Sequence, residues 1–232
     1  MPVKIGLFAG ALFATASSAY AGAILIPPNL NPGDTYRIIF VTDSTINATS
    51  ANAADYNAFV TTAAQNDPGL AALQTTWTAL VSTGSTGVFT NTGLSSSDST
   101  TAFYNTQGQL IAQGANGGPN SLYGGSHLAG IFDPNGAAPL DTIVWTGTMS
   151  DGSTSRFYLG ISSSLGGLNN LSDASWTSAD THTSAQTHTI YGLSGILTAA
   201  ATPEPSTFTT TALAAAALLL FAIARKHKTG SA

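Results

Sequence analysis

The chain has no cysteine among its 232 residues and little charge: Asp, Glu, Lys and Arg together make up 7%. An average soluble domain carries roughly 25%. The missing thiols exclude a disulfide scaffold, a thiolate zinc site, an iron–sulfur cluster and a cysteine nucleophile. Six basic residues against eleven acidic ones give a net charge of −5, which excludes a nucleic-acid partner because that needs a basic face. Glutamate occurs once, as Glu204. Low charge does not imply disorder, which goes with high net charge and low hydrophobicity, and 43% of this chain is hydrophobic. Hydroxyls stand in for charge, since Ser and Thr make up about a quarter of the residues.

Four of the six basic residues lie near the two ends. Lys4 precedes an apolar and small-residue run from Ile5 to Ala16, and Ala19-Tyr20-Ala21 follows. A short positive region, an apolar segment and a small-x-small site predict a secretory signal peptide over residues 1–21, cut by signal peptidase after Ala21. At the other end, Pro203-Glu204-Pro205 is followed by an uncharged run over 207–224 and by Arg225-Lys226-His227-Lys228. The run is long enough to predict one transmembrane helix. Arg225, Lys226 and Lys228 behind it would stay on the cytoplasmic side and orient the chain. Pro203 and Pro205 disfavour helix and hold an extended segment outside the membrane.

Pro-Glu-Pro, apolar span and basic tail in that order resemble the PEP-CTERM sorting signal of Gram-negative bacteria. The resemblance implies processing near the motif by the membrane enzyme exosortase. It also implies export across the inner membrane to the cell surface or extracellular matrix. The expected organisation is therefore a signal peptide (1–21), an exported domain (22–202) and a sorting signal (203–228).

The exported part has only Arg37 and Arg156 as bases, against ten aspartates. At about 180 residues it can bury a core without covalent staples. Thr35–Thr42, around Tyr-Arg-Ile-Ile-Phe-Val, is the strongest strand signal. Ala51–Gln65 is Ala-rich, with Tyr56, Phe59, Val60 and Ala63 at helical spacing, and Ser50 or Asn52 is placed to cap it. Asp67-Pro68-Gly69 ends it. Leu70, Leu73, Trp77 and Leu80 predict a second helix over Leu70–Val81. Ser82–Ser99 reads as loop or weak strand. Asn105–Gly108 reads as a hairpin turn between Phe103-Tyr104 and Gln109–Ile111. Asp141–Thr148, Arg156–Leu159 and Thr189–Thr198 read as strands, and Leu165–Ser184 mainly as loop.

Helices early and several short strands later predict an α+β layout. Ile39-Phe40-Val41-Thr42, Trp77, Val144-Trp145-Thr146-Gly147 with Asp151-Gly152, and Asp173-Ala174-Ser175-Trp176-Thr177 resemble bacterial C-type-lectin-like domains. That resemblance implies a C-type-lectin-like domain with two helices and a loop-rich antiparallel sheet, next to the C-terminal transmembrane helix. The family's usual cysteines and calcium–sugar signature are missing. The alternative is a β-sandwich in which Ala51–Val81 is a helical insertion.

No catalytic residue, metal site or cofactor is assigned. His182 and His188 would reach one metal only across a turn at Ser184–Gln186, with Asp180 as a third ligand; polar loop residues are the plainer reading. Gly124-Gly125-Ser126-His127-Leu128 lacks the closing glycine of a nucleophile elbow. Asp141 and Asp151 are the carboxylates a glycosidase would need, and Asp151 reads as a turn residue. Asp133-Pro134-Asn135-Gly136 and Ser150-Asp151-Gly152 are oxygen-rich loops of a kind that holds calcium or simply turns the chain. Trp145 reads as core. Trp176, flanked by Ser175 and Thr177, is the expected exposed, ligand-stacking aromatic.

The expectation is a non-enzymatic, exosortase-processed surface or matrix protein associated with exopolysaccharide. Its alternative is a secreted hydrolase acting on polysaccharide.

Overall fold

The computed structural model describes residues 27–139 and 141–200. The expected signal peptide with Ala19 and Ala21, the Pro203-Glu204-Pro205 motif, the span over 207–224 and the basic tail with Arg225, Lys226 and Lys228 lie outside the described residues.

Strand β1 (Thr35–Val41) runs through the middle of the domain. Side chains alternate across a strand, and here both sides are covered. Tyr36, Ile38 and Phe40 join one hydrophobic cluster, while Ile39 and Val41 join another. Burial on both faces explains the unbroken apolar run, which is the pattern of a central strand rather than of a half-exposed one. Its main partner is β9 (Thr187–Ser194), antiparallel through Ile39–Leu193, Phe40–Gly192 and Val41–Tyr191. On its other side lies β4 (Ala102–Tyr104), parallel to it.

Beyond β4, the hairpin over Asn105–Gly108 leads to β5 (Leu110–Gln113). Beyond β9 come β6 (Ile143–Trp145), parallel to it, then β7 (Ser163–Leu168) and β8 (Asp180–Thr183), both antiparallel. Short strands β2 (Ile46–Asn47) and β3 (Trp77–Ala79) also pair with β9, and β10 (Leu197–Thr198) pairs with β1. The result is a mixed ten-stranded sheet.

The second helix is shorter than the sequence pattern suggests, and a third short one is added. Helix α1 (Ala53–Asn66) starts at Asn52, whose side chain accepts a hydrogen bond from the Ala54 N–H at 3.1 Å, and lays Tyr56, Val60 and Ala64 on the first cluster. Helix α2 is one turn and a half, Pro68–Ala72, capped by Asp67 and followed by Gln74 at φ 47°. Helix α3 (Val88–Thr92) lies inside the stretch read as loop; its Val88 N–H is satisfied by Ser82 Oγ at 3.0 Å.

The C-type-lectin-like α+β expectation is thus corrected to a mixed, mostly sheet fold. The predicted helix Leu70–Val81 stops at Ala72 and gives way to β3, and the sheet is not purely antiparallel but holds the parallel pairs β1–β4 and β6–β9. The sheet-rich composition is compatible with the β-sandwich alternative. No helix among the described residues is long and apolar enough to cross a membrane.

The physical reason for the lost helix is tertiary pairing. Thr75, Thr76, Trp77 and Thr78 are β-branched or aromatic and suit a strand, and β3 gains ladder bonds to β9. Its outer edge is satisfied by side-chain amides: the Ala79 N–H donates to Asn57 Oδ1 at 2.7 Å, and Asn91 Nδ2 donates to the Ala79 carbonyl at 2.7 Å. An amide pair thus stands in for one more strand.

Two further segments depart from expectation. Arg156–Leu159 forms no strand, and Leu165–Ser184, read as loop, holds most of β7, a short 3-10 helix at Ala174–Trp176, and β8. Its Gly-Gly pair hides the signal, because glycine in a strand marks a close backbone approach. A Cβ on Gly167 would sit 1.9 Å from the Trp176 carbonyl oxygen.

Trp176 is 1% exposed, so the expected exposed aromatic is corrected to a core residue. Its ring packs 5.4 Å from Tyr123, 5.2 Å from Tyr191 and 4.4 Å from His127, centroid to centroid. One of the polar neighbours that suggested exposure is used inward: Thr177 is itself buried, and its carbonyl accepts from Thr146 Oγ1 at 2.5 Å.

Gly167→Ala should therefore destabilise the domain by about 3 kcal/mol or more in urea unfolding. Gly117→Ala, at φ 88° with nothing within 4 Å, should cost only about 1–2 kcal/mol. Equal losses would contradict the close packing of β7 on the 3-10 helix.

Candidate binding site

Three places in the domain bring functional side chains together. The first is an open cleft of about 590 Å³ between the Met149–Phe157 loop and the side of β7 and β8. Its loop wall is built by local bonds. Asp151 Oδ1 accepts from the Ser153 N–H at 2.9 Å and Ser153 Oγ at 2.6 Å, and the Met149 N–H donates to the Ser153 carbonyl. Gly152 turns the chain at φ 82°, and a Cβ there would strike the Phe89 ring at 2.4 Å. Hydrogen bonds from Ser153 hold the Asp151 carboxyl below its ordinary value. Asp151 is therefore a turn residue, with one carboxylate oxygen bonded within the loop.

Arg156 stands exposed at this cleft with its guanidinium 4.6 Å from the Phe157 ring centroid. It is the only surface cation among the described residues, because Arg37 is 8% exposed. Arg37 instead donates from Nη1 to the carbonyls of Thr92 and Ser194, at 3.3 and 3.1 Å, and so caps the C-terminal end of α3. Burial lowers its pKa. Across the cleft from Arg156 lie Asp180 and the hydroxyls of Ser178 and Thr181. A guanidinium stacked on an aromatic ring, facing hydroxyls over an open floor, suits a polar ligand with apolar faces, such as a sugar chain.

The second place is a cluster of Asp141, Trp145, His182 and His188. Strands β8 and β9 are joined by Ser184–Gln186 alone, although β6 and β7 lie between them in the sheet. The sheet must curl for so short a link to close. His182 and His188 meet on the inside of that curl, with ring centroids 5.2 Å apart, and Trp145 lies 6.1 Å from one and 4.8 Å from the other. Gly166 leaves the room: its missing Cβ would lie 3.5 Å from His182 Cδ2. His188 Nδ1 bonds Asp141 Oδ2 at 2.7 Å, and Asp141 Oδ1 accepts from the Ile143 N–H at 3.1 Å. The sequence reading gave this turn only as the condition for a shared metal, with Asp180 as the companion, and preferred polar loop residues. Asp180 instead accepts from the Thr181 N–H at 2.7 Å, and Asp141 is the carboxylate on the histidine.

The third is His127, 7% exposed, stacked on Trp176 and bonded through Nε2 to the Leu122 carbonyl at 3.3 Å. Burial drives its pKa down to about 4. Beside it a smaller hollow of about 320 Å³ carries the exposed Leu128 and Leu171.

The remaining sequence candidates are structural. Asp133 Oδ1 accepts from the Ala137 N–H at 2.8 Å, closing its own turn. Among the described residues no group of three or more His, Asp or Glu side chains converges as a metal cage. The chain matches no family model and no curated protein.

A histidine held neutral in the fold makes stability depend on acidity. Its folded pKa, about 4, lies below the ordinary 6.5, so the unfolded chain binds the proton more tightly. Stability from His127 is full above about pH 6.5 and declines by about 1.4 kcal/mol per pH unit towards about pH 4. His127→Leu should flatten that part of the profile in denaturant titrations at several pH values; an unchanged slope would contradict the assignment.

Proposed function

We propose that the chain is an exported surface or extracellular-matrix protein whose domain binds exopolysaccharide without transforming it. The Arg156–Phe157 shelf in the open cleft carries this reading. The hydrolase alternative is less well supported, since the two carboxylates it would use are engaged elsewhere, Asp141 with His188 and Asp151 with Ser153.

Export rests on the sequence. The 1–21 segment directs the chain to signal peptidase. The Pro203-Glu204-Pro205 motif, with the apolar run and the basic Arg225, Lys226 and Lys228, directs it to exosortase at the inner membrane of a Gram-negative cell. Processing releases the domain to the cell surface or matrix.

Changing Pro203-Glu204-Pro205 to three alanines should leave full-length protein in the membrane fraction of a producing cell. An intact C-terminus on the wild-type surface form, read by mass, would overturn the processing step. For binding, Arg156→Ala and Phe157→Ala should each weaken retention on purified exopolysaccharide about tenfold, equivalent to about 1.4 kcal/mol. Retention that neither substitution alters would overturn the cleft as the site.

A further inference from the structure

Leu165 and Thr181 of the cleft alternate along β7 and β8 with Gly166 and His182, and neither His182 nor His188 lines the cleft, so the histidine cluster has no part in the proposed binding. His188 points one ring nitrogen at Asp141 Oδ2, 2.7 Å away. With Asp141 ionised, Nδ1 carries the proton, and the neutral ring presents a lone pair at Nε2. That Nε2 atom is buried and has no hydrogen-bond partner among the described residues. An unsatisfied buried acceptor costs about 1–3 kcal/mol, so its position demands a partner. A carboxylate behind a histidine is the arrangement that orients and polarises imidazole towards a metal ion.

The second imidazole is at the right separation. Two imidazoles bound tetrahedrally to one ion, with metal–nitrogen bonds of about 2.0–2.1 Å, hold their ring centres about 5.2 Å apart. His182 and His188 stand 5.2 Å apart, with ring planes inclined by 60°. His182 makes no hydrogen bond to the described residues that would have to be broken. Trp145, beside both rings, supplies an apolar wall.

We propose that His182 and His188 form a binding site for a divalent transition ion of the class imidazole selects, zinc or copper. His188 ligates through Nε2, Asp141 acts as a positioning residue behind it, and water completes the coordination. Two protein ligands make the site open and of moderate affinity, suited to cross-linking or stabilising the curled end of the sheet rather than to caging a metal.

The test uses the purified full chain, titrated calorimetrically with Zn²⁺ and, separately, examined by electron paramagnetic resonance with Cu²⁺. His127→Asn and His227→Asn serve as controls for the other two histidines. The expected result is one ion per chain, two nitrogen couplings in the copper spectrum and a raised melting temperature with zinc. His182→Asn should lose at least about a hundredfold in affinity while keeping the wild-type circular dichroism; His188→Asn should do the same. Asp141→Asn should weaken binding about 10–100-fold yet keep both nitrogen couplings. Absence of binding, binding that survives His182→Asn, or a copper spectrum with one nitrogen or none would overturn the proposal. If His188→Asn fails to fold, His182→Asn decides alone, since His182 is only half-buried and unbonded.

Discussion

A strand buried on both faces must be apolar or have its polar groups bonded, and Thr35–Val41, with Arg37 held by two backbone carbonyls, is such a strand. Covering it twice dictates most of the architecture. One face takes α1, Trp77 and Trp145; the other takes Phe103, Tyr123, Trp176 and Tyr191. Its backbone donors and acceptors must also be paired, because buried peptide groups without partners are costly. Strands β9 and β10 do this on one side, and β4 does it on the other. Gly192 of β9 lies under the Phe40 ring, where a Cβ would come within 2.4 Å. The central pair therefore closes tightly and leaves the remaining strands to attach at its margins.

Apart from Arg37, the polar bonds of the interior are made mainly by hydroxyls. Ser194 Oγ accepts from the Ile38 N–H and donates to the Gly195 carbonyl. Thr42 Oγ1 accepts from the Ile190 N–H. Ser82 bonds Thr148, and Ser164 bonds Ser184, in buried pairs. A hydroxyl both donates and accepts without carrying charge, so burying it with its partners costs little. The scarcity of Lys and Glu and the wealth of Ser and Thr thus describe an interior as much as a surface.

What could be read from the residues follows the same physics. The run at Thr35–Thr42, the capped helix after Asn52, the turn at Asn105–Gly108 and the strand around Ile143–Trp145 were legible because local pattern and tertiary demand agree there. Strands β3, β7 and β8 were not. Trp77 lies on a helical stripe with Leu70 and Leu73, and only the pairing with β9 decides against it. In β7 the sequence Ser-Ser-Leu-Gly-Gly-Leu reads as loop until the Trp176 backbone is seen to leave no room for a Cβ. Trp176 misled for a related reason, since its neighbour Thr177 looks solvent-facing but is buried and serves an internal bond. The cleft was hidden because Arg156 and Phe157 carry no motif, and the histidine pair was visible only as a condition on a turn.

The account depends most on β1 and β9 being the last elements to lose protection. Native-state hydrogen exchange on the full chain addresses this directly. The amides of Phe40 and Gly192, paired across β1 and β9, and of Thr42, which donates to the Ile190 carbonyl, should exchange only through global unfolding, with the slowest rates in the domain, while those of β8 at the sheet's end open at lower free energy. Exchange of the β1 amides as fast as those of Asp180–Thr183 would contradict a fold organised around a strand covered on both faces.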